Sequence, residues 1–285
     1  MSAPVILSHY QASVLLAARR SGAVQCDVSP DLNLTVVTAR CDGSGVTFPD
    51  GSCVGWSDIE AIAESETGCF ALEPDGLRKI QVFSEQTNRP CSLMPTAGPP
   101  TLLIAGFPMH RIKGTDPRRD TLSKVRTVAP LTGSVLDTST GLGYTAIEAA
   151  RTAREVITIE LDPAVLEVAR QNPWSRALFT APNIRQVVGD SAEEVTRFAA
   201  GAFTRIIHDP PTIGLAGDLY ARDFYRELFR VLAPRGRLFH YIGDLSSDLG
   251  RRVARGAAER LEAAGFSRIT PRPEAFGLVA IKGRE

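Results

Sequence analysis

Neither sign of charge is in excess in this chain: 32 Lys and Arg face 32 Asp and Glu over 285 residues, a formal net charge of zero. That excludes a protein that blankets nucleic acid by bulk electrostatics, although it leaves room for a local basic patch. No apolar run approaches the roughly 18 residues that a membrane span needs. The opening MSAPVILSHYQ lacks a basic stretch leading into an apolar one. These absences predict a soluble, cytoplasmic protein with no membrane partner. No short repeat of the collagen or mucin kind occurs, and 44% hydrophobic residues at zero net charge is not the composition of a disordered chain. The length suits one large or two small domains with a real core.

Metal and disulfide chemistry are equally thin. The five cysteines (Cys26, Cys41, Cys53, Cys69, Cys91) lie in the first third at intervals of 15, 12, 16 and 22, with no CxxC and no neighbouring His pair. Zinc sites need ligands clustered in turns, and an odd count without a signal peptide does not make a disulfide framework. Small buried hydrophobes in a reducing compartment are the expectation, with no metal. HExxH, GxSxG and Walker A patterns are absent as well.

What is present divides unevenly. Residues 1–105 carry 6 basic and 11 acidic side chains, and residues 106–285 carry 26 and 21. Between them, 106–130 hold Arg111, Lys113, Arg118, Arg119, Lys124 and Arg126 against Asp116 and Asp120, after the Pro/Gly-rich MPTAGPPTLLIAGFP. We therefore expect an accessory domain over 1–105, a basic linker over 106–130 and a larger domain over 131–285.

The accessory domain reads as β-rich α+β. A helix is expected over about Ser8–Arg20. LNLTVVTARC alternates as a strand does, and VTFPDGSCVGW and FALEPDGLRKIQVF each set PDG between β-prone runs, as hairpins do. Ser57, with Asp58 and Glu60, is placed to start a short helix, WSDIEAIAESE. The sequence assigns this domain no chemistry; substrate positioning, homodimer formation and plain scaffolding all stay open.

From Gly133 the pattern changes to short apolar strands alternating with helices of about ten residues or more, from SVLDT to FGLVAIKG. Such a series requires parallel pairing with both faces covered, a doubly wound Rossmann-like α/β sheet. Ligands of such sheets sit beyond the carboxyl ends of the strands, so the residues just after each strand are the candidates.

The first strand ends at Asp137 and enters Thr138, Ser139, Thr140, Gly141, Leu142, Gly143 and Tyr144. The glycines allow a tight turn and close approach of a ligand to the backbone, with a helix N-terminus beyond. GLGYTA also fits a dinucleotide-binding turn, or a turn with no ligand. The second strand ends at Glu160, a carboxylate able to accept from two vicinal ribose hydroxyls. Asp162 with Pro163 reads as a helix cap.

Asp190 and Ser191 follow the third strand. There Asp190 either receives an exocyclic amine or caps the next helix, and the two roles are compatible. The fourth strand runs into His208, Asp209, Pro210, Pro211 and Thr212. Two prolines fix the backbone and remove donors, leaving a carboxylate and rigid carbonyls to orient an acceptor nitrogen. His208 either shares a proton with Asp209 or is a satisfied strand-end histidine.

In order and spacing, Asp137-Thr-Ser-Thr-Gly-Leu-Gly, Glu160, Gly189-Asp190-Ser191 and Asp209-Pro-Pro-Thr resemble motifs I to IV of class I S-adenosylmethionine-dependent methyltransferases. The likeness covers roughly Gly133 to Glu285 and is nearest to a group of predicted archaeal-type methyltransferases sharing a DPP motif IV. It extends into FPMHRIKGTDPRRDTLSKV upstream and DLYARDFYRELFRVLAPRGRLFHYIGD downstream. It implies a seven-stranded sheet with an antiparallel last strand and S-adenosyl-L-methionine as cofactor. The cofactor would be held by Asp137, Ser139, Thr140, Gly141, Gly143, Tyr144, Glu160, Leu161, Asp190 and Ser191. Within that set the glycine loop would contact the methionine moiety, Glu160 the ribose and Asp190 the adenine amine. Asp209, Pro210 and Pro211, with His208, would hold the acceptor nitrogen.

Two positions depart from the family pattern. Ser139 stands where motif I usually has its first glycine, and Thr212 stands where a stacking Tyr or Phe is usual. Thr212 cannot stack on a flat target, which shifts the expected acceptor from adenine toward an aliphatic amine, a protein side chain, or a base stacked elsewhere.

Less specific candidates surround these. His110, Arg111 and Lys113 form a cationic cluster for a cofactor carboxylate or an anionic substrate, or else a solvated linker. Tyr220, His240 and Tyr241 are candidates for lining the acceptor pocket, with Leu219, Phe224, Leu228 and Val231 as the core stripe of the same helix as Tyr220. Methyl transfer to a nitrogen of a small molecule, protein or nucleic acid is the leading expectation. Aminopropyl transfer from decarboxylated S-adenosylmethionine to a polyamine is the alternative, although STGLGYT lacks the acidic residues usual there. A nicotinamide-dependent dehydrogenase built on GLGYTA and Glu160 has no use for DPPT, and a non-catalytic binding module is the remaining reading.

Overall fold

The computed structural model describes residues 4–211 and 217–283, so Thr212 lies outside the described residues. The chain forms two compact units, Met1–Arg118 with Glu167–Arg176, and Arg119–Leu166 with Ala177–Glu285. No described helix is long and apolar enough to cross a membrane.

The described residues up to Pro108 hold three small antiparallel sheets and two helices. Helix His9–Ser21 starts where Ser8 caps it: Ser8 Oγ accepts from the Tyr10 amide, and Gln11 Oε1 accepts from the Ser8 amide at 3.0 Å, a reciprocal cap. Both PDG segments turn hairpins, joining Gly45–Thr47 to Cys53–Gly55 and Phe70–Glu73 to Gly76–Lys79. Gly51, at φ 90°, supplies the left-handed backbone that the first turn demands.

The short helix runs Trp56–Ala63 from an N-cap at Gly55, not from Ser57. The buried side chains Trp56, Ile59 and Ile62 set where it starts, because their spacing needs Trp56 inside the helix. Leu7, Leu15, Val46, Val54 and these three form the core of the unit. None of the five cysteines is in a disulfide. Cys41, Cys69 and Cys91 are buried as expected, Cys26 is half-buried, and Cys53 is exposed on its short strand. Among the described residues no cluster suits a metal.

In the second unit, the sheet strands are β1 (Ser134–Asp137), β2 (Glu155–Glu160), β3 (Ile184–Val188), β4 (Phe203–His208), β5 (Leu232–Tyr241), β6 (Ser267–Arg272) and β7 (Gly277–Ile281). Their order is β3-β2-β1-β4-β5-β7-β6, and β7 runs antiparallel to both neighbours. β1 is buried along its whole length, as a central strand covered on both faces must be. The longer helices from Pro117 onward are α1 (Pro117–Arg126), α2 (Tyr144–Ala150), α3 (Pro163–Gln171), α4 (Arg222–Val231) and α5 (Asp248–Ala263), with α1 and α3 running across the boundaries of the two units. Leu136, Ile159, Phe203, Ile206 and Leu238 from the sheet pack with Phe224, Leu228 and Val231 of α4 and Ala257 and Leu261 of α5.

One expected helix is broken in two. A 3-10 turn, Gly217–Tyr220, precedes α4, with Ala221 as N-cap. The break shifts the helical phase, so Tyr220 and Tyr225 are both buried alongside the expected stripe of Phe224, Leu228 and Val231. At the other end of α4, Lys282 Nζ donates to the carbonyls of Phe229 (2.6 Å), Arg230 (3.3 Å) and Leu232 (2.7 Å). These are groups that a helix end leaves without internal donors. Lys282→Met is expected to lower unfolding free energy by about 1–3 kcal/mol, the cost of stripping charge-assisted bonds from partly buried carbonyls. Urea unfolding checks this, and an unchanged midpoint contradicts it.

Candidate active site

β1 pairs in parallel with β2 on one side and β4 on the other. The order in which strands are added therefore reverses at β1, and the crevice where such sheets bind ligands opens at the carboxyl ends of β1 and β4. Asp137, the last residue of β1, is fully buried. Its Oδ2 accepts from Thr145 Oγ1 and Thr158 Oγ1, each at 3.0 Å. Thr140 Oγ1 lies 2.6 Å from Thr158 Oγ1, which extends the hydroxyl chain into the loop. Burial pushes Asp137 up to about 7 from an ordinary 3.8, although the two threonine hydroxyls pull the other way.

The loop after β1 is shaped by backbone bonds: the Thr138 amide to Ile207 O, the Thr140 amide to Ile159 O, and the Gly143 amide to Thr140 O. Ser139 is half-buried on this loop and Tyr144 opens α2. Gly141 has φ 54° and Gly143 φ 78°. A Cβ at Gly141 would meet open space, whereas one at Gly143 would come within 2.6 Å of the Leu178 side chain. The two glycines thus serve different needs, one leaving room beside the loop and the other allowing tight packing beneath it.

Glu160 ends β2 and reaches back to that loop, its Oε2 accepting from the Gly141 amide at 2.8 Å and its Oε1 from the Asp162 amide at 3.1 Å. Burial pushes Glu160 up to about 7, against these amide bonds. An ionised carboxylate has about four lone-pair positions, so two bonds leave capacity for hydroxyl donors. Leu161, next in sequence, is 43% exposed, and Val188 at the end of β3 is 56% exposed. Glu160 and Val188 are paired in register, so apolar surface flanks the acid on both strands. Asp162 Oδ1 accepts from the Ala164 amide at 2.9 Å, capping α3 as expected.

Beyond β3, Asp190 is exposed and caps helix Ser191–Glu194 through the Ala192 amide at 2.8 Å. Ser191 is buried, and its Oγ donates to Thr138 O at 2.6 Å, tying the β3 end to the β1 loop. The hydroxyl is therefore occupied within the scaffold.

At the end of β4, Asp209 meets two residues that motif reasoning did not single out. Lys124 Nζ lies 2.7 Å from Asp209 Oδ2 and 2.9 Å from Asp120 Oδ2. The side chains are 2% (Lys124), 0% (Asp120) and 18% (Asp209) exposed. The same ammonium sits 4.6 Å from the centre of the Tyr241 ring. Two carboxylates outweigh the desolvation that would otherwise deprotonate a buried lysine, and they push Lys124 above its ordinary range. Asp120 and Lys124 are one helical turn apart on α1, a spacing visible in the sequence. Counting the basic residues of 106–130 as a single cluster hid it.

Three expected site residues face inward instead. His208 is fully buried; its Nε2 lies 2.9 Å from Leu219 O, and its Nδ1 lies 2.7 Å from Thr138 Oγ1. A carbonyl can only accept, so Nε2 carries the proton, Thr138 donates to Nδ1, and the ring is neutral. Burial pushes it down to about 3, so it offers Asp209 no proton at neutral pH.

His240, in register with His208, packs against it with the ring centres 4.4 Å apart and lies 2.7 Å from the Tyr225 hydroxyl. Burial holds it well below its ordinary value. Tyr220 is buried and donates to Pro211 O at 3.1 Å. It therefore anchors the DPP segment rather than presenting a ring to solvent. His110, Arg111 and Lys113 belong to the first unit, where Thr101 Oγ1 lies 3.0 Å from His110 Nδ1.

The strand ends fit an adenosyl cofactor. Asp137 Oδ1 is buried with no hydrogen-bond partner, Gly141 leaves open space where a side chain would stand, and exposed Leu161 beside Glu160 offers an apolar face next to an acceptor. Gly143→Ala is expected to destabilise the unit by about 1–3 kcal/mol, from a left-handed backbone and the Leu178 overlap. Gly141→Ala is expected to cost about 1 kcal/mol from backbone strain alone and to act mainly on cofactor affinity. Thermal unfolding of both variants, with and without S-adenosylhomocysteine, checks the split; equal losses in both contradict it.

Residues 135–236 match a family model described as a methyltransferase domain. An uncharacterized protein of Methanocaldococcus jannaschii is 43% identical over 240 residues, covering 84% of this chain and 81% of that one. Putrescine N-methyltransferase 4 of Nicotiana tabacum is 35% identical over 100 residues, 34% of this chain and 26% of that one. Polyamine aminopropyltransferase 2 of Streptomyces coelicolor is 30% identical over 100 residues, 33% and 18%. A spermidine synthase solved with a transition-state analogue superposes with TM-score 0.57 at 23% identity, covering 73% of this chain and 76% of that one. This last likeness is one of fold.

The match over residues 135–236, in a sheet whose strand order reverses at β1, places the chain among the class I S-adenosylmethionine-dependent methyltransferases, with S-adenosylmethionine as its cofactor.

Proposed function

We propose that the chain transfers the methyl group of S-adenosylmethionine to a nitrogen nucleophile oriented by Asp209. The observation that carries this reading is the placement of Asp209, a partly exposed carboxylate one residue beyond β4 and beside the β1 loop. When bound, the cofactor supplies an electrophilic methyl on a sulfonium, so the protein has to align the acceptor and exclude water.

In this reading Gly141 and Gly143 let the loop backbone approach the methionine moiety, with Asp137, Ser139, Thr140 and Tyr144 shaping the loop. Glu160 accepts from the ribose hydroxyls, Leu161 packs against the adenine, and Asp190 receives its amine while Ser191 holds the strand end. Asp209 accepts a hydrogen from the acceptor nitrogen and aims its lone pair. Pro210 and Pro211 stiffen the segment, and Tyr220 fixes it through Pro211 O.

Aminopropyl transfer to a polyamine is the second reading, supported by the likeness to the Streptomyces enzyme. The relatives named for putrescine N-methylation and for polyamine aminopropylation are both matched over about a quarter of their length or less, so the acceptor does not carry over from either. Mass spectrometry of products from fractionated cell extract, supplied in turn with S-adenosylmethionine and its decarboxylated form, separates the two. A gain of CH2 from the first donor supports methyl transfer, and a gain of C3H7N from the second overturns it. Asp209→Asn is expected to lower kcat by roughly 100-fold or more with little change in S-adenosylhomocysteine affinity. Normal turnover in that variant removes Asp209 from the reaction.

Glu160 gives a pH signature. In the free protein, burial keeps it protonated up to about pH 7. Ribose hydroxyl donors favour the carboxylate, so binding lowers its pKa and releases a proton. By linkage, affinity climbs as pH rises toward 7 and levels off above it. The calorimetric Kd for S-adenosylhomocysteine is expected to fall roughly three- to tenfold between about pH 6 and pH 8, and Glu160→Gln flattens most of that change. A Kd that rises over the interval contradicts the assignment.

A further inference from the structure

The surroundings of the Lys124 ammonium have the composition of an amine-recognition site. Asp120 Oδ2 lies at 2.9 Å, Asp209 Oδ2 at 2.7 Å and the Tyr241 ring centre at 4.6 Å. Two carboxylates and an aromatic face are what a protein needs to hold a primary ammonium out of water. In this chain the ammonium is not a ligand. It is tethered by a side chain, 2% exposed, on α1.

From this geometry we infer that Lys124 is a built-in occupant that excludes free alkylammonium ions from Asp209, so that the acceptor is a nitrogen uncharged in its ground state. The inference rests on the methyl-transfer reading of the Asp209 site and narrows its substrate class.

Charge supports the exclusion. Lys124 halves the negative charge that Asp120 and Asp209 would otherwise present, and the carboxylate nearer solvent, Asp209, already has a cation on Oδ2. A diamine approaching that carboxylate would bring a second ammonium within a few ångströms of the first, with low-dielectric protein on the far side to strengthen the repulsion. A neutral amide, an aromatic ring nitrogen or an exocyclic base amine meets no such repulsion. It can still donate a hydrogen bond to the carboxylate oxygen that orients it. Lys124 is thus a specificity-determining and positioning residue. It fixes the Asp209 carboxylate and sets the charge of what that carboxylate accepts.

Removing the tethered ammonium should open the site to a free one. Calorimetric titration of putrescine into the S-adenosylhomocysteine-saturated protein is expected to show no saturable binding to wild type. Lys124→Ala is expected to bind putrescine saturably, about tenfold or more tighter than any wild-type signal. Methylammonium chloride should raise the unfolding temperature of this variant above that in sodium chloride, with no such difference for wild type.

Saturable putrescine binding to wild type that the substitution weakens or leaves alone overturns the inference, as does a folded variant that gains neither effect. If Lys124→Ala does not fold, the wild-type titration decides: no binding supports exclusion, and binding overturns it. Labelled-methyl incorporation is scored separately. A methyltransferase that acts on diamines passes that assay but binds putrescine, whereas an aminopropyltransferase fails the one and binds in the other. Failure of the exclusion and failure of methyl transfer therefore give different results.

Discussion

Three carboxylates, Asp137, Glu160 and Asp209, end neighbouring strands of one sheet, and the need to keep them there with little water organises the carboxyl edge. A parallel sheet covered on both faces has polar positions only at its strand ends. Acids placed there must be hydrogen-bonded, paired or neutral. Each of the three is handled differently. Asp137 is met by threonine hydroxyls and pushed toward neutrality. Glu160 is met by the amides of Gly141 and Asp162. Asp209 alone is given a full counter-charge.

The same need explains why so many small hydroxyl residues crowd this edge. Thr138, Thr140, Thr145, Thr158 and Ser191 are all buried, and every one has a partner within the edge itself. Ser191 Oγ and Thr138 O join the β3 end to the β1 loop, Thr138 Oγ1 joins that loop to His208 on β4, and Thr140 meets Thr158 on β2. Three strands are thereby tied to the β1 loop by hydroxyls, of which Thr158 both accepts from Thr140 and donates to Asp137, a rigid support for whatever the loop backbone contacts.

Much of this was readable from residues alone, for a physical reason. β-branched runs such as Glu155–Glu160 and Phe203–His208, alternating with helices, leave few topologies once right-handed crossovers are required, and turn chemistry at PDG and at the β1 loop is local. What could not be read were features that depend on phase or on contacts distant in sequence. DLYARDFYRELFRVLA looks like one helix, but the break at Ala221 buries Tyr220 and Tyr225 together. Ser57 is a good capping residue in isolation, yet the packing of Trp56 overrides it. His208 and His240 look reactive as letters in a string; in register on β4 and β5 they are each other's packing partners.

Lys124 shows why charge counting along a segment misleads about a site. Summed with its neighbours it is one of six cations in a basic stretch, which reads as solvated or as a surface for anions. Folded, it pairs with Asp120 one turn away and with Asp209 85 residues on. A buried ammonium flanked by two acids is costly to assemble and contributes little net stability over an apolar replacement. Its physical rationale in this position is therefore control of charge: it lets a carboxylate stand at the end of β4 without making that carboxylate a trap for cations.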